Sequence, residues 1–293
     1  MIAQQVINAI SLGGVYALLA LGLAIVFSIV GLINFAHGEL MTVSGYALLA
    51  ALIFGFPFPA AVVIAICCGA LAAVAMERIA FRPMRGAGVT SLLLTSFAVS
   101  SLLKVLFQNG VSARGQAVAM PGWMTGAFSF GNFTIGVGPT ISIVVSVVAL
   151  IALEVFLRRT VTGTAMRAAA EDFDVVRLMG IPASRIIATA FLLSGLLAGL
   201  AAMLWIASRA SVDPLMGFTP VLKAFIAAVV GGLGSLPGAD AGGFLLGVIE
   251  VLLQATLPAS VAPYRDAIVL SGVIAVLLIR PQGLIPAVRV QRS

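Results

Sequence analysis

The chain has 293 residues, 61% of them hydrophobic and 9% charged, with a net charge of +6. Soluble domains hold nearer half apolar and a quarter charged residues, so water cannot be the solvent for most of these side chains. A soluble globular domain is excluded, and the basic excess needs no nucleic acid to explain it once its charges are placed along the chain.

Apolar blocks run near residues 6 to 30, 39 to 56, 59 to 77, 89 to 108, 139 to 158, 187 to 207, 219 to 233, 241 to 257 and 265 to 280. Most approach the ~20 residues that carry a helix across ~30 Å of hydrocarbon. Leucine, alanine, valine and isoleucine run on without the every-second-residue switching of a membrane barrel, so helices are the spanning unit. The expected fold is all-α: a polytopic transmembrane bundle of eight or nine spans in one domain, 1-293. The second and seventh blocks are short and punctuated by glycine, which suits broken or re-entrant segments.

Eleven of the 16 basic residues fall in three clusters: Arg78, Arg82 and Arg85; Arg158, Arg159, Arg167, Arg177 and Arg185; and Arg280, Arg289 and Arg292. By the positive-inside rule all three face the cytoplasm. Nine crossings from an external N-terminus satisfy that and leave the C-terminus cytoplasmic. No Lys or Arg precedes Arg78, so the first block lacks the basic start of a cleaved signal and reads as a retained span.

Between the first two blocks, GLINFAHGE places Asn34, His37 and Glu39 among apolar residues. On one unbroken helix Asn34 and His37 share a face and Glu39 points about 200° away from His37, so the three converge only if the helix breaks. Gly31 and Gly38 permit a break. Three readings stand: a cavity-lining bend that touches solute, an interfacial loop with a solvated His and Glu, and a proton relay. Cys67 and Cys68 are adjacent within an apolar block, a spacing that serves neither a disulfide scaffold nor a metal, and they read as small buried packing residues.

Residues 110-138 form an external loop rich in Gly and aromatics with one charge, Arg114. Residues 158-186 form a charged cytoplasmic loop with helical grammar. Met166, Ala169, Phe173 and Val176 fall on one face, Arg167 and Glu171 are an i, i+4 pair on another, and Gly180 with Pro182 is a stop. The expectation is one short amphipathic helix outside the membrane, in which Ala168 to Ala170 leave a shallow surface against which another protein could pack. A helix that lies on the bilayer, which its Arg flanks also suit, is the alternative.

Gly195 with Gly199 and Gly243 with Gly247 are small-xxx-small spacings for close helix contact. GGLGSLPGADAGG at 231 to 243 lacks the Gly-Lys-Ser/Thr ending of a phosphate loop, and Gly232, Gly234 and Gly238 suit a tight turn or broken helix. Lys104 and Lys223 lie near the external ends of their blocks, where snorkelling is the default, with Lys223 also a candidate for lining a pathway. Glu250 sits mid-block, where a carboxylate costs several kcal/mol unless paired, protonated or wetted. One His, no paired Asp and no Ser/His set leave no catalytic residues, metal site or cofactor to expect.

GLINFAHGEL at 31 to 40, AFIAAVVGGLGSLPGADAGG at 224 to 243 and LIRPQGL at 278 to 284 resemble signatures of the branched-chain amino acid ABC transporter permeases. The resemblance spans nearly the whole chain. It implies a non-enzymatic permease subunit of the bacterial inner membrane, embedded in lipid and working by alternating access. The implied partners are cytoplasmic ATPases that hydrolyse the ATP, a second permease and an external solute-binding protein. It also implies that 165 to 181 is the coupling loop, with Arg167, Ala169, Ala170, Glu171 and Gly180 in equivalent places; the alanines precede Glu171, whereas the commoner pattern opens with the Glu. Asn34, His37, Glu39, Lys223 and Glu250 are the candidate pathway residues. A urea or short-chain amide ABC permease and an ion-coupled secondary transporter are the alternative readings. The solute, and whether the two permeases are identical, stay open.

Overall fold

A computed structural model describes residues 2–130, 133–258, 260–280 and 282–285; Arg289 and Arg292 of the third basic cluster lie outside them. Among the described residues, nine apolar helices match the nine blocks in order: α1 (Ile2–Val30), α2 (His37–Ile53), α3 (Phe58–Met76), α4 (Val89–Gly110), α5 (Val137–Arg159), α8 (Ala183–Arg209), α9 (Phe218–Gly231), α10 (Leu236–Thr256) and α11 (Arg265–Ile279). Two short helices, α6 (Val161–Glu171) and α7 (Phe173–Leu178), fill the charged loop. Seven of the nine are long and apolar enough to cross a membrane, α11 together with the 3-10 turn before it (Ala262–Tyr264) and α3 together with the π turn after it (Glu77–Phe81). The other two, α2 and α9, have 17 and 14 residues. At 1.5 Å per residue they reach about 25 and 21 Å, short of a ~30 Å hydrocarbon layer.

The bundle is organised around α1, apolar on every side and buried along most of its length, as a helix without a polar face must be. It packs against α5, α8, α9 and α10. Both glycine spacings make close contacts: Gly243 and Gly247 of α10 meet the backbone of Ala17 and Gly13 in α1, and Gly195 and Gly199 of α8 meet Ala70 and Ile66 of α3. Dispersion at such approach drives association where lipid removes the hydrophobic effect. Helices α4 and α11 are peripheral, and Leu94, Leu102, Leu270 and Ile274 point outward from them.

One end of the bundle gathers the C-terminal ends of α1 and α5, helix α6, the α9–α10 turn and Ile285 around a common cavity. It is the arginine-rich end. At the other end the 110-138 loop is pinned down: strand β1 (Gln116–Ala117) pairs antiparallel with β4 (Ser211–Val212), and Trp123 meets Phe58 edge-on. A hairpin of β2 (Ala127–Phe130) and β3 (Phe133–Gly136) completes the loop.

Three expectations need correction. The charged loop is two helices, because Asp172 Oδ1 accepts hydrogen bonds from the backbone N–H groups of Asp174 (3.0 Å) and Val175 (3.1 Å) and so starts a new helix. Cys67 is exposed and Cys68 only partly covered, because that face of α3 points away from the bundle. Gly38 and Gly238 lie just inside the helices that follow each break, whereas Gly31, Gly232 and Gly234 occupy the breaks with φ of 69°, 122° and 86°.

Candidate solute pathway

Residues 31–36 are not helical, and they return the chain toward the interior. The His37 ring lies against Gly22, eight residues before the end of α1, so α2 starts about 12 Å of helix inside the bundle. Its N-terminus meets that of α9: a Cβ on Gly38 would lie 2.5 Å from the Gly217 carbonyl oxygen. Two helix N-termini, each carrying partial positive charge, therefore come together within the apolar layer.

The break does not make the three polar residues of GLINFAHGE converge. Asn34 Oδ1 accepts from the Ala36 N–H (3.0 Å) and its Nδ2 lies 3.7 Å from Met76 Sδ, so Asn34 shapes the turn. His37 Nδ1 is 3.0 Å from Ser194 Oγ of α8. Glu39 faces the other way, toward α4, where its Oε1 accepts from Ser100 Oγ (3.0 Å) and lies 3.5 Å from Lys104 Nζ. All three are buried.

Neither lysine reaches for headgroups, because each has a carboxylate within its grasp. Lys104 Nζ also sits 4.1 Å above the Phe218 ring. Lys223 Nζ is 2.7 Å from Glu250 Oε1 and 3.1 Å from Asp266 Oδ1. Tyr16 donates to Glu250 Oε2 at 2.8 Å and Arg265 lies 3.4 Å from Oε1, so Glu250 is paired at both oxygens. This network joins α1, α9, α10 and α11, and its two acids and two bases balance.

The Glu39 site is less complete. Glu39 Oε2, Thr42 Oγ1 and the Tyr46 hydroxyl are buried without a hydrogen-bond partner. They lie in a seam between α2 and α4 with a regular layout. Phe35 stacks on Phe97 (centroids 4.5 Å apart), Glu39 faces Ser100 and Lys104, and Tyr46 stacks on Phe107 (4.7 Å). The sequence reading missed Ser100, Lys104, Tyr46 and the phenylalanines as a set. Phe97, Ser100, Lys104 and Phe107 have 3-4-3 spacing and Phe35, Glu39, Thr42 and Tyr46 have 4-3-4, so a search for matched helix faces would have found both.

In the charged loop, Met166, Ala169 and Val176 turn toward the bundle, whereas Ala168, Ala170, Arg167 and Glu171 are exposed. Gly180 takes φ of 77°, a left-handed stop before Pro182. Arg167 and Glu171 make no ion pair among the described residues; both line a cavity of about 420 Å³ with Ile25, Met166 and Leu236. No group of metal-binding side chains occurs among the described residues.

Residues 5–279 match the family described as branched-chain amino acid transport system / permease component. The chain belongs to that family. It is 34% identical to the high-affinity branched-chain amino acid transport system permease protein LivH of Escherichia coli, over 99% of this chain and 97% of the relative. Identity and coverage are the same for the corresponding permease protein BraD of Pseudomonas aeruginosa. Among solved structures, PsaBC from Streptococcus pneumoniae in complex with Fab aligns over 94% of this chain and 91% of its own, with a TM-score of 0.53 and 15% identity, which places the fold. This permease is thus a multi-pass membrane protein and not itself an enzyme.

Proposed function

We propose that this permease is the membrane subunit of an ATP-driven importer of branched-chain amino acids, with ATP hydrolysed by a separate cytoplasmic partner, a second permease beside it and a solute-binding protein outside. The family match along nearly the whole chain carries the reading. The arginine-rich end faces the cytoplasm, which leaves the N-terminus outside and the C-terminus inside.

The α6–α7 loop is where the ATPase pushes. Val161, Leu178 and Met179 are 89%, 87% and 72% exposed on a loop beyond the spans, an apolar set suited to a protein partner. Its other face, through Met166 and Ala169, grips the bundle, so movement of the loop is passed to α1, α5 and α8. Ala170, Arg167 and Glu171 are placed for the partner, while Ala169 holds the helix to the bundle.

The test is uptake of leucine, isoleucine and valine into liposomes holding the complete complex, with and without ATP. Uptake that requires ATP supports the reading. Uptake driven by a sodium or proton gradient alone, or preference for urea or acetamide, would replace it with one of the alternatives.

A further inference from the structure

We infer that the α2–α4 seam is the station at which the solute's two backbone charges are read, and that its two aromatic stacks are the gates on either side. The inference rests on the proposed function and adds a place and a chemistry to it.

Its basis is the order of groups along two helices that run side by side in the same direction. From the arginine-rich end the seam reads Phe35 on Phe97, then Glu39 with Ser100 and Lys104, then Tyr46 on Phe107. One acid and one base therefore lie between two stacked aromatic pairs. A free aliphatic amino acid carries one ammonium, one carboxylate and an apolar side chain, which is the complement of this set.

The charges are placed to exchange. Glu39 and Lys104 are 3.5 Å apart, longer than a strong charge-assisted hydrogen bond, and Glu39 Oε2 makes no well-formed hydrogen bond, with the Thr42 hydroxyl its neighbour on α2, although Glu39 is 1% exposed. A buried carboxylate oxygen without a donor is costly. An incoming ammonium supplies that donor. The solute carboxylate takes Lys104, whose Nζ already lies over Phe218 at the start of α9, where the N-termini of α2 and α9 meet. Phe218 and Phe97, 45% and 50% exposed, offer apolar faces for the side chain.

Glu250 has no such oxygen to offer. Its oxygens are occupied by Tyr16, Lys223 and Arg265, so an ammonium would have to displace a donor and gains nothing. Of the two buried acid–base pairs, Glu39 with Lys104 and Glu250 with Lys223, the first is the one with an oxygen to spare.

The experiment compares uptake and ATPase activity of the reconstituted complex carrying Glu39→Gln, Lys104→Met or both. The wild type is measured first: if it takes up no branched-chain amino acid, the proposed function fails before any variant is read. A merely structural pair predicts that the double variant, with no unpaired charge left, recovers wild-type uptake. A reading station predicts a double variant that assembles and hydrolyses ATP but takes up leucine at least tenfold more slowly. If the double variant does not assemble, Ser100→Cys in a Cys67→Ser, Cys68→Ser background decides. Reaction with a small thiol reagent that leucine-loaded binding protein slows supports the station, and no reaction, or reaction that leucine leaves unchanged, overturns it.

Discussion

Gly38 and Gly217 touch backbone to backbone: a Cβ on Gly217 would lie 1.8 Å from the Gly38 carbonyl oxygen. No side chain fits there without separating the N-termini of α2 and α9. Gly217→Ala should therefore lower the yield of folded protein in detergent and abolish uptake. Gly272→Ala on α11, whose Cβ meets nothing within 4 Å, is the control and should leave both unchanged.

Glu250 shares its charge with Lys223, Arg265 and Tyr16, so removing Lys223 leaves the cluster one positive charge short but still held by Arg265 and Tyr16. Lys223→Met alone should destabilise the fold by less than the roughly 3–5 kcal/mol cost of a buried pair broken outright. Adding Glu250→Gln should recover part of the loss in thermal unfolding. Additive losses would show that the pair does not act as a unit.

Gly180 ends α7 with φ of 77°. Gly180→Val puts a β-branched residue in the left-handed region, at a cost of roughly 1–2 kcal/mol, and should distort the loop without touching the spans. ATPase activity of the assembled complex should persist while uptake per ATP falls. Unchanged stoichiometry would remove this stop from the coupling path.

Ala169 is 2% exposed against the bundle while Ala170 beside it faces outward. Ala169→Asp should detach α6 and reduce uptake with the ATPase still bound. Ala170→Asp should weaken co-purification of the ATPase. Reversed phenotypes would mean that the helix presents the opposite face.

The spans were legible because hydropathy and length are properties of contiguous sequence, and α2 and α9 showed themselves by being short and rich in glycine. The pairing of charges was not, since 65 positions separate Glu39 from Lys104 and nothing local says which helix face meets which. Lys223 and Glu250 were suspect individually for the cost of burial, and only packing made them partners. The split between α6 and α7 was readable in principle, as Asp172 before Phe173 is an ordinary helix-starting residue. Continuous apolar periodicity across 166, 169, 173 and 176 hid it.

Helix α11 is fixed at its two tips by unlike means. Arg265 and Asp266 hold one tip by charge, while just past the other the Leu284 and Ile285 N–H groups donate to the Val230 and Gly231 carbonyls at 2.8 and 2.9 Å. Between them lies an apolar void of about 280 Å³ lined by Leu246, Ile249, Val269 and Val273. Between its anchored ends α11 rests on α9 and α10 around Val269 and beside this void, so its middle has fewer neighbours to hold it than its tips do.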